Sequence, residues 1–294
     1  MHDAMIDEAQ PSSGPRRRFG ILSVMAEVND AALRFLVLSL NTIQDRFEFE
    51  FIPFDSQDQM LIGLRSNSPV DREDIRNGCA AFQERQFGVF RRRAEGYLTK
   101  ELPPDRIIVL STVRFSDNFY SLRCDRISVI ALGNWKRSMA PPSILEFILT
   151  LIVREVIASV SPRLSGSVHV GTKGCPCDFT PSLDEVRQKV LSSYLCQYCR
   201  GALADDGVRE TIPDIEKMLA KSWIGSPDNS SSVAAITSAL GHDLFLVKGL
   251  RPTFWEGFLV TLRQEGSKQM ITMTASIVAG IIVAALLLLL GLKK

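Results

Sequence analysis

Four of the chain's six cysteines lie between positions 175 and 199, in two closely spaced pairs. Cys175 and Cys177 flank a proline, Cys196 and Cys199 bound a Cys-Gln-Tyr-Cys turn, and His169 precedes them. Paired spacings of this kind bring several thiolates to one point, which is what a tetrahedral Zn²⁺ requires. Disulfides are the competing interpretation, and the redox compartment decides between the two.

The carboxyl-terminal sequence bears on that compartment. Residues 271–292 contain no charged residue and are followed by Lys293 and Lys294. A helix rises about 1.5 Å per residue, so this stretch is long enough for the ~30 Å hydrocarbon core of a bilayer. The polar sequence 1–20 lacks the apolar segment of a secretory signal. We therefore expect a single-pass, tail-anchored membrane protein with its soluble part in the cytosol, where thiols stay reduced.

The composition is that of a chain with an ordinary globular core. Its 294 residues are 46% hydrophobic, and the net charge is +1. Because no basic excess is present, nucleic acid is not expected as a partner. We predict a disordered arm over 1–17, an α/β domain over 18–205 containing the Cys/His segment 169–199, a small α/β extension over 206–265 and a transmembrane helix over 271–292.

Hydrophobic patterning indicates the fold class. Strands are predicted over 19–25, 47–52, 106–112, 127–132 and 243–247, with helices between them. Strands that alternate with helices are typical of an α/β (α+β) protein with a mixed sheet flanked by helices. A helix that begins after Ser143 is apolar on nearly all sides, so it is expected at the centre of the core.

The predicted zinc site has more candidate ligands than it needs. Six side chains of the segment can donate to a metal: His169, Cys175, Cys177, Asp178, Cys196 and Cys199. A structural zinc site takes four N or S ligands, and the Cys196–Cys199 turn is expected to supply two. The other two come from His169, Cys175 and Cys177, and the choice among these three stays open.

Residues outside this segment are weaker candidates for a functional role. Cys79 and Cys124 stand alone, in a predicted helix and a predicted loop, and are expected to be inert. Glu155 follows Arg154 on the apolar helix, and a buried ion pair is the favoured interpretation over a catalytic carboxylate. The sequence contains neither a phosphate-binding glycine loop nor a Gly-x-Ser-x-Gly motif.

From His169 onward the sequence resembles the archaemetzincins, a family of metzincin-related zinc proteases. In that family a His-Glu-x-x-His-x-x-Gly-x-x-His motif is followed by a cysteine-rich segment that ends in Cys-x-x-Cys. His169 matches the last histidine, Cys175 a structural-zinc cysteine, and Cys196 and Cys199 the terminal pair. The resemblance covers residues 160–203 and implies a metzincin-like core with a structural zinc.

The sequence departs from the family at the catalytic positions. Ser159, Val160 and Arg163 stand where the family has its first histidine, its glutamate and its second histidine. The chain has only three histidines, whereas a catalytic zinc needs three protein ligands and a water. The resemblance therefore implies that the structural zinc site is kept and the catalytic one is lost.

Two further departures concern the structural site itself. Val170 occupies the position of the family's first structural cysteine, and Cys177 that of the Met-turn methionine. Cys177 is expected to stand in for the missing cysteine, which leaves His169 as a spare ligand.

Two functions follow as expectations. The first is a membrane-tethered cytosolic sensor or binding module with a structural zinc, a catalytically inactive relative of the metzincins. Its partner would be another protein or a second copy, and its tail would allow it to act on the membrane as an effector. The alternative is a membrane-anchored zinc-dependent peptidase with a divergent active site, for which Glu155 is the candidate carboxylate.

Overall fold

The structure is a computed structural model that describes residues 16–99, 102–166, 169–170, 174–264, 266 and 281–283. A five-stranded sheet forms its centre, in the order β2-β1-β3-β5-β4. The strands are β1 (Arg17–Ser23), β2 (Phe47–Phe51), β3 (Arg106–Ser111), β4 (Ser121–Cys124) and β5 (Ile127–Ala131). β1 pairs in parallel with β2 and β3, β3 pairs in parallel with β5, and β4 is antiparallel to β5. The predicted mixed sheet is confirmed.

Helices cover both faces of this sheet. They are α1 (Asp30–Ile43), α2 (Gln59–Gly63), α3 (Arg72–Gly96), α4 (Ile144–Val160), α5 (Pro162–Gly166), α6 (Leu183–Ser192), α7 (Gln197–Asp205), α8 (Ile212–Ala220), α9 (Val233–Ala239) and α10 (254–264). On β3, Ile108 and Leu110 join the core of α1 and α4, whereas Ile107 and Val109 join the core of α2 and α3. Successive strand side chains point to opposite faces, so the sheet is buried on both sides and the architecture has three layers.

Helix α4 crosses the centre of the larger core, as its sequence predicts. It begins with a capping box in which Ser143 and Glu146 bond each other's backbone amides, which satisfies amides that have no partner within the helix. Nearly all its side chains are buried, including those of Arg154 and Glu155. Helix α5 follows directly and leads to the Cys/His segment, so α4 fixes where that segment starts.

The region after α7 is helical rather than α/β. The predicted strand over 243–247 is wrong, because these residues form a turn. The Asp243 carboxylate accepts hydrogen bonds from the backbone amides of Phe245 and Leu246, and such an Asx turn competes with extended backbone. Ile215 of α8 and Ala234 of α9 are buried in the same core as α1 and α4, so this region helps to cover that face of the sheet.

Both predicted terminal segments fall largely outside the described residues. Of the predicted arm 1–17, residues 1–15 lie outside them, and Arg17 is in fact the first residue of β1. The predicted membrane helix 271–292 also lies outside them apart from 281–283, which are helical. Within the described parts of the chain, no helix is both long and apolar enough to cross a bilayer.

Candidate metal centre

Two local structures bring the candidate ligands together. Residues 169 and 178 form a parallel β-bridge, and the Asp178 amide donates to the Cys175 carbonyl at 3.0 Å. This pairing sets His169 beside the turn that carries Cys175.

The second local structure is the start of α7. Cys196 is the N-cap residue of α7, and Cys199 lies in the first turn of that helix. The first turn of a helix is compact, so both sulfurs of the Cys-Gln-Tyr-Cys sequence are presented on one side.

Four ligand atoms converge in the core. One atom each from His169, Cys175, Cys196 and Cys199 lies within 4.8 Å of every other, and all four residues are buried. The Cys175 and Cys199 sulfurs are 3.7 Å apart, and His169 Nε2 lies 3.2 Å from the Cys196 sulfur. Two sulfurs bound at about 2.3 Å to one tetrahedral ion would be about 3.8 Å apart. The donor set and spacing therefore fit a four-coordinate metal.

A carboxylate holds the imidazole from the other side. His169 Nδ1 lies 2.7 Å from Asp178 Oδ1, and the Cys175 amide donates to Asp178 Oδ2 at 3.0 Å. A metal-binding histidine commonly directs its second nitrogen at a carboxylate, which fixes the tautomer and the ring orientation. Asp178 therefore belongs to the site as a positioning residue, whereas the sequence suggested it only as a further donor.

The turn after Asp178 is held by residues that are distant in sequence. The ammonium group of Lys189 on α6 donates to the Asp178 carbonyl and to the Thr180 hydroxyl. The Tyr120 hydroxyl is 2.9 Å from the same Thr180 oxygen. Burial, together with the charge of Arg154, lowers the pKa of Lys189 to about 8. No sequence signal links these residues to the site, because they are distant in the sequence and meet only in the folded chain.

Cys177 lies next to the four-atom group but is not part of it. Hydrogen bonds with Cys175 and Cys199 hold the pKa of the Cys177 thiol well below its usual range, while those with Cys175 and Cys177 raise the pKa of Cys199. Sulfurs this close cannot all ionise without a neighbouring cation. The sequence-based expectation was that Cys177 stands in for the missing cysteine and leaves His169 as a spare ligand, whereas the geometry favours His169 in the four-atom group. The difference comes from the β-bridge, a pairing that residue spacing alone does not reveal.

Glu155 has both carboxylate oxygens occupied. Arg123 binds it with two hydrogen bonds of 2.7 and 3.0 Å, and Arg154 lies 3.6 Å away. The Glu155 side chain is 1% exposed. Burial alone would raise the pKa of Glu155, but the charge and hydrogen bonds of Arg123 lower it to about 2. The ion pair favoured from the sequence is present, with Arg123 on β4 as the main partner instead of Arg154.

Comparison with known proteins adds no relative from which a role could be transferred. No protein-family model, curated protein or solved structure matches this chain. The resemblance to the archaemetzincins stays a prediction from the sequence motifs, and the site must be interpreted from its own chemistry.

Proposed function

We propose that this chain is a membrane-tethered, non-catalytic binding or sensor module whose Cys/His segment is closed by a structural zinc. The proposal is carried by the buried convergence of His169, Cys175, Cys196 and Cys199. Sets of three thiolates and one imidazole favour zinc among biological metals, and four protein ligands leave no position for a reactive water. The ligands would hold the turn after α5 against the start of α7, and the metal would supply folding free energy.

The state of Glu155 favours this proposal over a peptidase. A general base works best when its pKa lies near the working pH, whereas that of Glu155 is about 2. Its oxygens are engaged by Arg123, and the side chain is buried. Such a carboxylate is suited to holding α4 against β4 rather than to accepting a proton from water. The proposed ancestry is a metzincin-like core that retained only its structural metal.

The membrane tether rests on the apolar sequence 271–292, and a feature of α10 supports it. Three aromatic side chains on α10 are exposed to solvent: Phe254 by 80%, Trp255 by 70% and Phe258 by 52%. Aromatic side chains are enriched where proteins meet the headgroup region of a bilayer. Helix α10 precedes the apolar sequence in the chain, so these side chains suit a position at the membrane surface. A protein partner or a second copy would bind to the cytosolic part.

Metal analysis of the full chain in detergent tests the zinc assignment. We expect one zinc per chain, and the double variant Cys196→Ser, Cys199→Ser should contain none. The same variant should lose several kcal/mol of unfolding free energy, because structural metal binding is coupled to folding. The matched control is Cys79→Ser, Cys124→Ser, which changes two cysteines outside the cluster and should keep the metal.

Two results would contradict the proposal in different ways. The structural-zinc assignment would be contradicted if the purified chain contained no bound metal. It would also be contradicted if the Cys196→Ser, Cys199→Ser variant kept its full zinc content. A second, exchangeable zinc with peptidase activity that disappears in Glu155→Gln would instead establish the alternative, a membrane-anchored peptidase.

A further inference from the structure

A second group of thiols lies on the opposite face of the sheet from the metal centre. Cys79 on α3 and Cys124 at the end of β4 belong to the core of α2 and α3. Each thiol lies close enough to the other to shift its pKa. Both line a cavity of about 470 Å³ between α3 and the β4–β5 hairpin. The two cysteines that look isolated in the sequence are therefore a pair beside an accessible cavity.

The hairpin is held in place by the same helix face that carries Cys79. Gln83 follows Cys79 by one helical turn, so the two side chains lie on the same side of α3. The Gln83 side chain donates to Asp125 at 2.8 Å and accepts from the Arg126 amide at 3.2 Å. Asp125 takes a φ of 47° in the turn that directly follows Cys124. These contacts hold the turn that follows Cys124 against the side of α3 that carries Cys79.

The two thiols differ in acidity and in access. The hydrogen bond from Cys79, with the charge of Arg76, holds the pKa of Cys124 below its usual range despite partial burial. The same hydrogen bond, with burial, raises the pKa of Cys79. Cys79 is 3% exposed, whereas Cys124 is half-buried. Reactive cysteines are found at partly exposed positions in positively charged surroundings, and Cys124 is half-buried with Arg76 nearby.

We propose that Cys79 and Cys124 are an oxidant-sensitive dithiol, which a hydroperoxide entering this cavity converts into a disulfide between α3 and β4. Cys124 is the attacking sulfur and Cys79 the resolving one. In the reducing cytosol proposed for this domain, a disulfide of this kind would be a transient, regulatory state.

The chemistry balances in two steps. The Cys124 thiolate attacks one peroxide oxygen, so an S–O bond forms, the O–O bond breaks, and the leaving alkoxide or hydroxide takes a proton from water. The Cys79 sulfur then attacks the Cys124 sulfenic sulfur, the S–O bond breaks, and the Cys79 proton leaves with the hydroxide as water. The two sulfurs together lose two electrons, and the peroxide oxygens gain them.

The experiment maps the disulfide directly. Zinc-loaded full chain in detergent is treated with hydrogen peroxide, its remaining thiols are alkylated under denaturing conditions, and tryptic peptides are analysed by mass spectrometry. We expect peptide 77–85, which contains Cys79, to be joined to peptide 124–126, which contains Cys124. The link should disappear after reduction with dithiothreitol. Recovery of both peptides in alkylated form after peroxide treatment would overturn the proposal.

Single variants separate the two roles. In Cys79→Ser, oxidation should stop at a sulfenic acid on Cys124, detected by dimedone labelling. In Cys124→Ser, Cys79 should stay alkylated after peroxide. The reverse pattern, or persistent dimedone labelling of the unsubstituted chain without a cross-link, would contradict the mechanism. A circular dichroism spectrum and a thermal unfolding midpoint close to those of the unsubstituted chain show that each variant is folded, and Cys79→Ala replaces Cys79→Ser if the buried hydroxyl prevents folding. Because the dithiol lies across the sheet from the metal centre, this result is independent of the zinc proposal.

Discussion

One carboxylate at the metal centre connects two of the candidate ligands. Asp178 contacts the His169 ring through one oxygen and the Cys175 backbone amide through the other. The first contact lies on the side of the ring opposite Nε2, which faces the Cys196 sulfur, and the second fixes the turn that carries Cys175. A single side chain thus orients ligands that arrive from different parts of the segment.

Removal of this carboxylate should weaken metal binding without abolishing it. We expect Asp178→Asn to bind zinc about 10–100-fold more weakly, which is the usual effect of losing such an outer carboxylate. The measurement is zinc retention against a competing chelator at pH 7. Asp184→Asn, at an exposed position on α6, is the matched control and should bind as tightly as the unsubstituted chain. Equal retention by both variants would mean that Asp178 does not orient the ligands.

The buried Glu155 carboxylate should stabilise the folded chain, and the size of this stabilisation should depend on pH. Glu155→Gln leaves the Arg123 and Arg154 charges poorly neutralised, so we expect a loss on the order of 3 kcal/mol of unfolding free energy at pH 7. The pKa of Glu155 falls from 4.5 to about 2 on folding. Its stabilisation is therefore complete above pH 4.5 and is lost as the pH falls from 4.5 towards 2.

Urea unfolding of both proteins across this pH range checks the assignment. The stability difference between the unsubstituted chain and Glu155→Gln should shrink as the pH falls below 4.5. Glu185→Gln, exposed on α6, serves as the control and should show no comparable difference. A difference that persists down to pH 2 would show that the charge of Glu155 is not what stabilises the fold.

The turn between α9 and α10 buries an imidazole with no hydrogen-bond partner for either ring nitrogen among the described residues. His242 is fully buried, and burial lowers its pKa from 6.5 to about 4. As the pH falls, the unfolded chain takes up the proton before the folded one does. Stability should therefore decrease between pH 6.5 and 4, by up to about 3 kcal/mol.

His242→Leu should remove this component of the pH dependence. An apolar side chain of similar size fits a site that offers the ring no partners, so little stability should be lost at neutral pH. The measurement is the stability difference between the two proteins from pH 8 to 4. We expect a constant difference above pH 7 and an increasing advantage for His242→Leu below pH 6.5. Stability curves that stay parallel over the whole pH range would show that folding does not change the pKa of His242, which would contradict the prediction.

The sequence predicts helices and strands well where long apolar runs or periodic patterns are buried. It predicts them poorly where an element is short or where a polar side chain bonds the backbone. The strands β1, β2, β3 and β5 and helix α4 are apparent from apolar runs and periodicity. β4 has only four residues and no long apolar run, so it was not predicted. At 243–247 an apolar run suggested a strand, but the Asp243 side chain satisfies the backbone and makes a turn.

The metal centre, too, could be predicted only in part from the sequence. The spacing of Cys196 and Cys199 predicted their convergence, because both lie within one helical turn. The choice of His169 over Cys177 depends on the bridge to Asp178, and the Cys79–Cys124 pair depends on how the hairpin lies against α3. Both are contacts between segments, which a pattern of residue types along the chain does not contain.

At the scale of the molecule, the sheet separates two kinds of sulfur chemistry. The thiols of the metal centre lie in the core of α1 and α4, and the proposed dithiol lies in the core of α2 and α3. Oxidation on one face would therefore not require loss of the metal on the other. The exposed aromatic side chains of α10 form a third region, next to which the proposed membrane tether would begin.

The proposed tether can be broken at its midpoint without altering the folded domain. Ile281 and Ile282 lie at the centre of the apolar sequence 271–292. An arginine at the centre of a membrane helix costs about 2.5–3.5 kcal/mol for insertion, so two should abolish stable anchoring. We expect the full chain to resist alkaline carbonate extraction from membranes, and the variant Ile281→Arg, Ile282→Arg to be released with its zinc bound. The conservative variant Ile281→Leu, Ile282→Leu should remain in the membrane. Release of the unsubstituted chain under the same conditions would contradict the tether while leaving the metal centre unaffected.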